Sequence, residues 1–383
     1  MNAMFNNVFN GVTVLITGHT GFKGSWLCIW LEKLGAKVVG YSIDIPTTPS
    51  NFDLSNLNKH VIDIRGDTRD LPKLQSVIEE HKPKIIFHLA AQAIVLKAYD
   101  SPKETFDTNA GGTVNVLEAV RKTNCVEIVV SITSDKVYHN NEWNWGYRET
   151  DLLGDKDPYA ASKAMAELAI ESYRRSYFAE GSLGSKRVAL SSTRAGNVIG
   201  GGDFADYRLV PDSMKALILG EPIKIRNPAN VRPWQLVLEP LSGYLWLAAK
   251  MLGNPNGEYN KAWNFGPLNT KGVTAGEVTD TLVELWGEGS WVNTGTNQAE
   301  KEAGLLMLDW SLANRELGWR PVYTDRETLS EVVSWHKEYA RQNTSSSSTL
   351  DMFETCSKQI DKYSERAKEL KIPWAFTDTN KAM

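Results

Sequence analysis

The sequence predicts an α/β protein, a doubly wound parallel sheet with a smaller mixed α/β domain after it. Three observations predict this. Short β-branched apolar runs alternate with helical stretches over the first 193 residues, a glycine-rich turn follows the first run directly, and the alternation stops near Arg194. Val12–Thr17 is the first strand, apolar because both of its faces are to be covered. Ser25–Leu34 reads as a helix stopped by Gly35, and Lys37–Tyr41 as the second strand. Lys59–Ile64, a helix near Leu71–Glu80 and Lys84–Leu89 continue the pattern. A longer helix near Thr108–Lys122, a strand Val126–Ile132, an Ala/Glu/Lys-rich helix Tyr159–Phe178 and a strand Arg187–Thr193 complete it. Parallel strands joined by such helices take right-handed crossovers, which gives a Rossmann-type sheet. Beyond Arg194, glycines cluster at 200–202, a helix is expected near Pro211–Leu219, and Pro233, Pro240, Pro255 and Pro267 interrupt the rest. Ser345–Ser348 reads as a short hinge, and Leu350–Leu370 as an appended surface helix.

Composition narrows the function. Forty-two Lys+Arg against 46 Asp+Glu leave a formal charge of −4, with no electrostatic footprint for nucleic acid. Cys28, Cys125 and Cys356 are odd in number and far apart, which argues against a disulfide framework or a zinc site and for a reducing compartment. No apolar run is long enough to span a membrane, and Met1–Asn10 shows no charged-then-apolar leader, so a cytoplasmic protein is expected. The 13 Trp fit either stacking on a ligand or core packing.

Gly18-His19-Thr20-Gly21-Phe22-Lys23-Gly24 lies between the first strand and the first helix. A bulky residue at the first two glycines would block backbone approach to a phosphate, and the third permits close helix–strand packing. The helix N-terminus adds free N–H groups and positive partial charge. The turn therefore predicts a dinucleotide pyrophosphate. Asp44, beyond the second strand, would accept the adenine ribose hydroxyls and repel a 2′-phosphate, favouring NAD over NADP. Asp67 and Thr68, after the third strand, stand where the adenine is expected, although a helix cap explains Asp67 equally simply.

Tyr159 and Lys163 are four apart on one helix face, and Ser134 ends the preceding strand. An ammonium beside a phenol favours the phenolate, lowering a pKa of about 10 towards neutrality. Ser, Tyr and Lys so arranged can deprotonate an alcohol while nicotinamide takes its hydride.

These motifs, with Leu89-Ala90-Ala91-Gln92 and Asn109 in T-N-A-G-G-T, resemble the extended short-chain dehydrogenase/reductases from about Gly11 to about Ala340. Within that family Thr133-Ser134-Asp135-Lys136-Val137-Tyr138 looks like the nucleotide-sugar 4,6-dehydratase signature. Gly18–Trp26 and Arg232-Pro233-Trp234-Gln235 resemble the CDP-glucose branch in particular. The resemblance implies conversion of CDP-glucose, or another nucleotide hexose, to a 4-keto-6-deoxy sugar for deoxysugar or O-antigen biosynthesis, with recycled NAD. It makes Asp135 the acid for the C6 hydroxyl. Lys136 stands where the dTDP-glucose relatives carry Glu, and is a C5 base only if its pKa is depressed. By the same resemblance Arg194, Asn197 and Arg208 contact the diphosphate and base, Arg232 and Trp234 close over them, and Gln92, Tyr147 and Arg148 touch the hexose. It implies an NAD-binding domain over 1–193, with a segment near 233–265 returning to it. It places a mainly substrate-binding domain over 194–340 and a hinge with helical extension over 341–383. It also implies a homodimer, or a tetramer, through a four-helix interface of the Thr108 and Tyr159 helices.

Three rivals stand beside this reading: a 4-epimerase of the same fold, a dTDP- or GDP-sugar dehydratase, and a silent NAD-binding scaffold. The epimerase needs no Asp135-Lys136 pair, and the scaffold no intact Tyr159, Lys163 and Asp135.

Overall fold

The computed structural model describes residues 4–179, 181–183, 187–254, 257–295, 305–344 and 350–376. Seven parallel strands form the central sheet: β1 (Thr13–Thr17), β2 (Lys37–Ser42), β3 (Ile62–Arg65), β4 (Ile85–His88), β5 (Ile128–Ile132), β6 (Ala189–Ala195) and β7 (Ala262–Phe265). Their spatial order is β7-β6-β5-β4-β1-β2-β3. The order reverses between β1 and β4, so the loops after these two strands part and open a crevice at their C-terminal ends. The third strand starts later than its apolar pattern predicts, because Leu57–Lys59 closes a 3-10 turn that buries Leu57.

One face of the sheet is covered by α1 (Phe22–Lys33); α2 (Leu71–His81), α3 (Gly112–Lys122) and α4 (Pro158–Tyr173) cover the other. Their buried stripe of Leu74, Ile78, Val116, Val120 and Ile170 packs on Ile86 and Val129. A π-helical turn, Asp107–Gly111, precedes α3 and carries Asn109 inward. After β6 come α5 (Leu209–Leu219), α6 (Leu238–Gly253), α7 (Ala275–Trp286), α8 (Asp325–Thr344) and α9 (Phe353–Glu369). Helix α6 packs with α1 on the sheet, whereas α5, α7 and α8 enclose a separate core of Met214, Leu217, Ile223, Leu282 and Val332.

Helix α9 is not a surface appendage. Cys356, Ile360, Tyr363 and Ala367 recur on one face of the helix and join the main core with Trp30 and Trp374. The Tyr363 hydroxyl donates to Glu239 (2.6 Å), whose carboxylate also accepts from the backbone of Val322 and Tyr323. The expected hinge at Ser345–Ser348 lies outside the described residues. The tryptophans are mostly core: Trp26, Trp30, Trp246, Trp263, Trp319, Trp335 and Trp374 are fully buried. Among the described residues no helix is long and apolar enough to cross a membrane.

Candidate active site

The glycine turn owes its shape first to the chain itself. Gly18 has φ +78°, and a Cβ there would stand 2.7 Å from the Ala90 nitrogen. A Cβ on Gly24 would meet the Gly18 carbonyl at 2.1 Å. Gly21 is different: its Cβ would meet only the Gly18 carbonyl, at 3.4 Å, so the space above it is open for a ligand. Gly21 is also the cap of α1 and supplies no side chain to its first N–H groups. An open glycine beneath unused helix N–H groups fits a dinucleotide pyrophosphate.

The flanking residues divide between cradle and scaffold. His19 turns inward against Gly40; its Nε2 meets Asp63 Oδ1 at 2.9 Å, and burial holds its pKa below the ordinary value. Thr20 Oγ1 donates to the Asp44 carbonyl (2.5 Å), which leaves the Asp44 carboxylate exposed past the end of β2. The Asp67 carboxylate is held by the Arg69 backbone N–H and Nε, both at 2.8 Å. Thr68 accepts at its carbonyl from Asn115, and Leu89, Ala90 and Ala91 continue from β4 beside Gly18.

A cleft of about 1100 Å³ opens next to this turn. Asp157 caps α4 by accepting from the Ala160 N–H (2.8 Å), so Tyr159 and Lys163 occupy the helix's first turns, one above the other. Tyr159 lines the cleft; Lys163 Nζ donates to the Ile132 carbonyl at 3.4 Å. Burial first, then Lys23, brings the Lys163 ammonium down to about 7. The phenol moves opposite to expectation: burial pushes Tyr159 up to about 12, outweighing the Ser134 hydrogen bond. Lys163, drawn to the Ile132 carbonyl and itself held low by burial, does not pull it down.

After β5, Ser134 Oγ donates to Asp135 Oδ1 (3.1 Å) and accepts from the Lys136 N–H (3.3 Å), setting the short turn Asp135–Val137. Asp135 is buried in the cleft wall, and its Oδ2 has no hydrogen-bond partner among the described residues. Burial raises its pKa, against the opposing charges of Lys136 and Arg232. Lys136, Asn197, Arg208, Arg232 and Trp234 line the same cleft. One space thus brings together the Tyr159 phenol, the Asp135 carboxyl, the Lys136 amine and the Arg208 and Arg232 guanidiniums.

The model of the GDP-mannose 4,6 dehydratase family matches residues 15–332. The chain belongs to that family. It is 47% identical over 336 residues to the CDP-glucose 4,6-dehydratase of Salmonella typhimurium, covering 88% of this chain and 93% of that protein. It is 24% identical to a dTDP-glucose 4,6-dehydratase of Xanthomonas campestris, covering 85% of this chain and 93% of that one. Among solved structures, the dTDP-glucose 4,6-dehydratase from Bacillus anthracis in complex with NAD aligns with a TM-score of 0.70 at 23% identity, over 86% of this chain and 97% of that one. The Thermus thermophilus UDP-glucose 4-epimerase complex with NAD aligns at 0.72 and 24%, over 85% and 99%. Both share the fold.

In this GDP-mannose 4,6 dehydratase family member, several residues expected at the substrate are spent elsewhere. Arg194 is buried and gives Nε and Nη2 to Glu167, both at 2.9 Å, and Nη1 to the Tyr138 hydroxyl at 2.8 Å. No donor faces a diphosphate, because β6 delivers the side chain against α4 and not into the cleft. Tyr147 stacks between Tyr138 and Trp143, with its hydroxyl on Asn140 (2.9 Å), and is too enclosed to touch a hexose. Gln92 donates its amide N–H to Thr105 Oγ1 (3.0 Å), and its amide oxygen accepts from the Ile94 N–H (2.6 Å). Its backbone is bracketed by Asn109, which also donates to Ser162 (2.9 Å), so this pair latches the loop after β4. Arg148 pairs with Asp309 at 3.1 Å away from the main cleft. Sequence reasoning missed Glu167, although Tyr159, Lys163 and Glu167 form one stripe at four-residue spacing. It also missed Asp203, which accepts from Arg208 at 2.9 Å.

Proposed function

We propose that this chain is an NAD-dependent nucleotide-sugar 4,6-dehydratase that converts CDP-glucose to CDP-4-keto-6-deoxyglucose and water. The observation that carries the reading is Asp135, a buried carboxyl whose pKa burial raises and whose Oδ2 has no hydrogen-bond partner among the described residues, in the cleft that Tyr159 lines. An epimerase has no hydroxyl to expel and no use for such an acid. The choice of CDP-glucose is supported by the Salmonella relative.

Tyr159 takes the proton of the C4 hydroxyl. The turn at Gly21 would hold the NAD pyrophosphate and Asp44 its ribose, and the cofactor would supply the hydride acceptor for C4, the hydride donor for C6 and a ring charge that favours the phenolate. The C4 ketone acidifies the C5 proton, which Lys136 can remove only as the neutral amine, while Asp135 gives its proton to the departing C6 hydroxyl. Lys136 then returns its proton to C5. One proton gained at Tyr159 and one lost at Asp135 leave the cycle to be closed between them. Ser134, hydrogen-bonded to both, is the relay. Arg208, Arg232 and the uncapped start of α5 receive the diphosphate.

Incubation of the purified chain with CDP-, dTDP- and UDP-glucose, followed by the alkaline absorbance of a 4-keto-6-deoxy sugar, tests the reading. CDP-glucose is expected to turn over, and no product from any of the three overturns it. The chain is further read as a homodimer through α3 and α4, whose outer faces expose Val114, Met165 and Leu168; a monomeric mass in light scattering excludes this.

A further inference from the structure

Lys23 belongs to the glycine turn by its backbone, but its side chain lines the substrate cleft beside Asp135, Tyr159 and Arg208. Among the described residues the Lys23 amine makes no hydrogen bond or ion pair. The charges that face it come from Arg208 at the start of α5, Asp135 after β5 and Lys163 on α4, with the Tyr159 phenol on the same wall. Burial and then Arg208 disfavour its ammonium, Asp135 favours it less, and the balance holds it at about 8. Arg208 is already bonded to Asp203, and Asp135 Oδ1 accepts from Ser134 rather than from Lys23. Lys23 and Arg208 thus come together on this wall of the cleft, and the Lys23 amine has no partner among the described residues. Helix α5 opens beside them with no side chain on its first N–H groups. Such a group of donors is relieved by an anion placed among them.

We infer, resting on the nucleotide-sugar reading of this cleft, that the Lys23 ammonium contacts the diphosphate of the substrate, together with Arg208 and the first turn of α5. One residue then serves the dinucleotide with its backbone and the substrate with its side chain.

Calorimetric titration of the NAD-loaded protein with CDP tests this. Lys23→Met keeps the apolar stem and removes the charge, so the Kd for CDP is expected to rise roughly 10- to 100-fold while NAD content stays constant. In the wild type, affinity for CDP should also weaken as the pH is raised through about 8, where the ammonium is lost, and Lys23→Met should lack that component. Unchanged CDP affinity in the variant overturns the inference. So does a variant that loses NAD yet binds CDP normally, or a pH dependence identical in the two proteins. A wild type that binds none of CDP, UDP and dTDP overturns the nucleotide-sugar reading itself, and the Lys23 contact with it.

Discussion

Arg194 and Glu167 meet in a two-point ion pair, Nε to Oε1 and Nη2 to Oε2, each at 2.9 Å and fully inside the protein. Glu167 also accepts from Thr133 Oγ1 (2.5 Å) and Ser192 Oγ (2.7 Å), and these bonds with Arg194 hold its carboxyl down to about 2 despite burial. Thr133 leads directly into Ser134 and Asp135, so the pair underpins the turn that carries the proposed acid. Glu167→Ala strands a buried guanidinium and should cost about 3–5 kcal/mol. Replacing both residues by Met should cost less than the single change. Urea midpoints of the two variants decide it; a double variant weaker than Glu167→Ala would show that the stranded charge is not the main cost.

Tyr159→Phe keeps the ring and removes the acid–base oxygen. Turnover should fall by a factor of ~10²–10⁴, with CDP and NAD binding retained. Steady-state rates alongside titration with CDP check this, and full turnover in the variant excludes Tyr159 as the base.

Asp135 and Lys136 act after Tyr159 in the proposed sequence. Asp135→Asn and Lys136→Met should therefore still oxidise C4, and reduced cofactor should accumulate in a single turnover. Exchange of the C5 proton with deuterated water should slow in Lys136→Met but not in Asp135→Asn. Normal exchange in the Met variant rules Lys136 out as the C5 base.

Two buried histidines make the fold acid-sensitive. Burial, with Lys163 adding to it, holds His88 at about 3, and burial holds His336 at about 4. Both are near 6.5 when unfolded, so below that pH the unfolded chain binds more protons and stability falls until the folded values are reached. By about pH 5 each histidine should have removed roughly 2 kcal/mol. Denaturant midpoints across this range should decline steadily; a flat profile would show that neither ring is neutral when folded.

The C-terminal helix adds a phenolic donor to a carboxylate already bonded by two backbone groups. Tyr363→Phe leaves Glu239 short of one donor in the core and should destabilise the protein by about 1–3 kcal/mol. Thermal unfolding measures it, and an unchanged midpoint would mean that the bond adds nothing.

What the sequence determined by itself is local. β1, the glycine turn, α1 and the Tyr159–Lys163 face are each written within a few consecutive residues, through strand periodicity, steric freedom at glycine and helical spacing. Asp135 stood out for the same reason, beside Ser134 at a strand end. The tertiary structure decided where long side chains spend their donors. Arg194 sits in β6, a run as readable as β1, yet its partner lies 27 residues earlier on α4. Tyr147 and Gln92 are polar residues near the site whose hydrogen bonds close within the protein once the loops pack. The same holds for α9, whose polar composition suggests a surface helix until Trp30, Glu239 and Trp374 are brought to its buried face. A side chain's partner is chosen by packing of distant segments, and no local pattern encodes that choice.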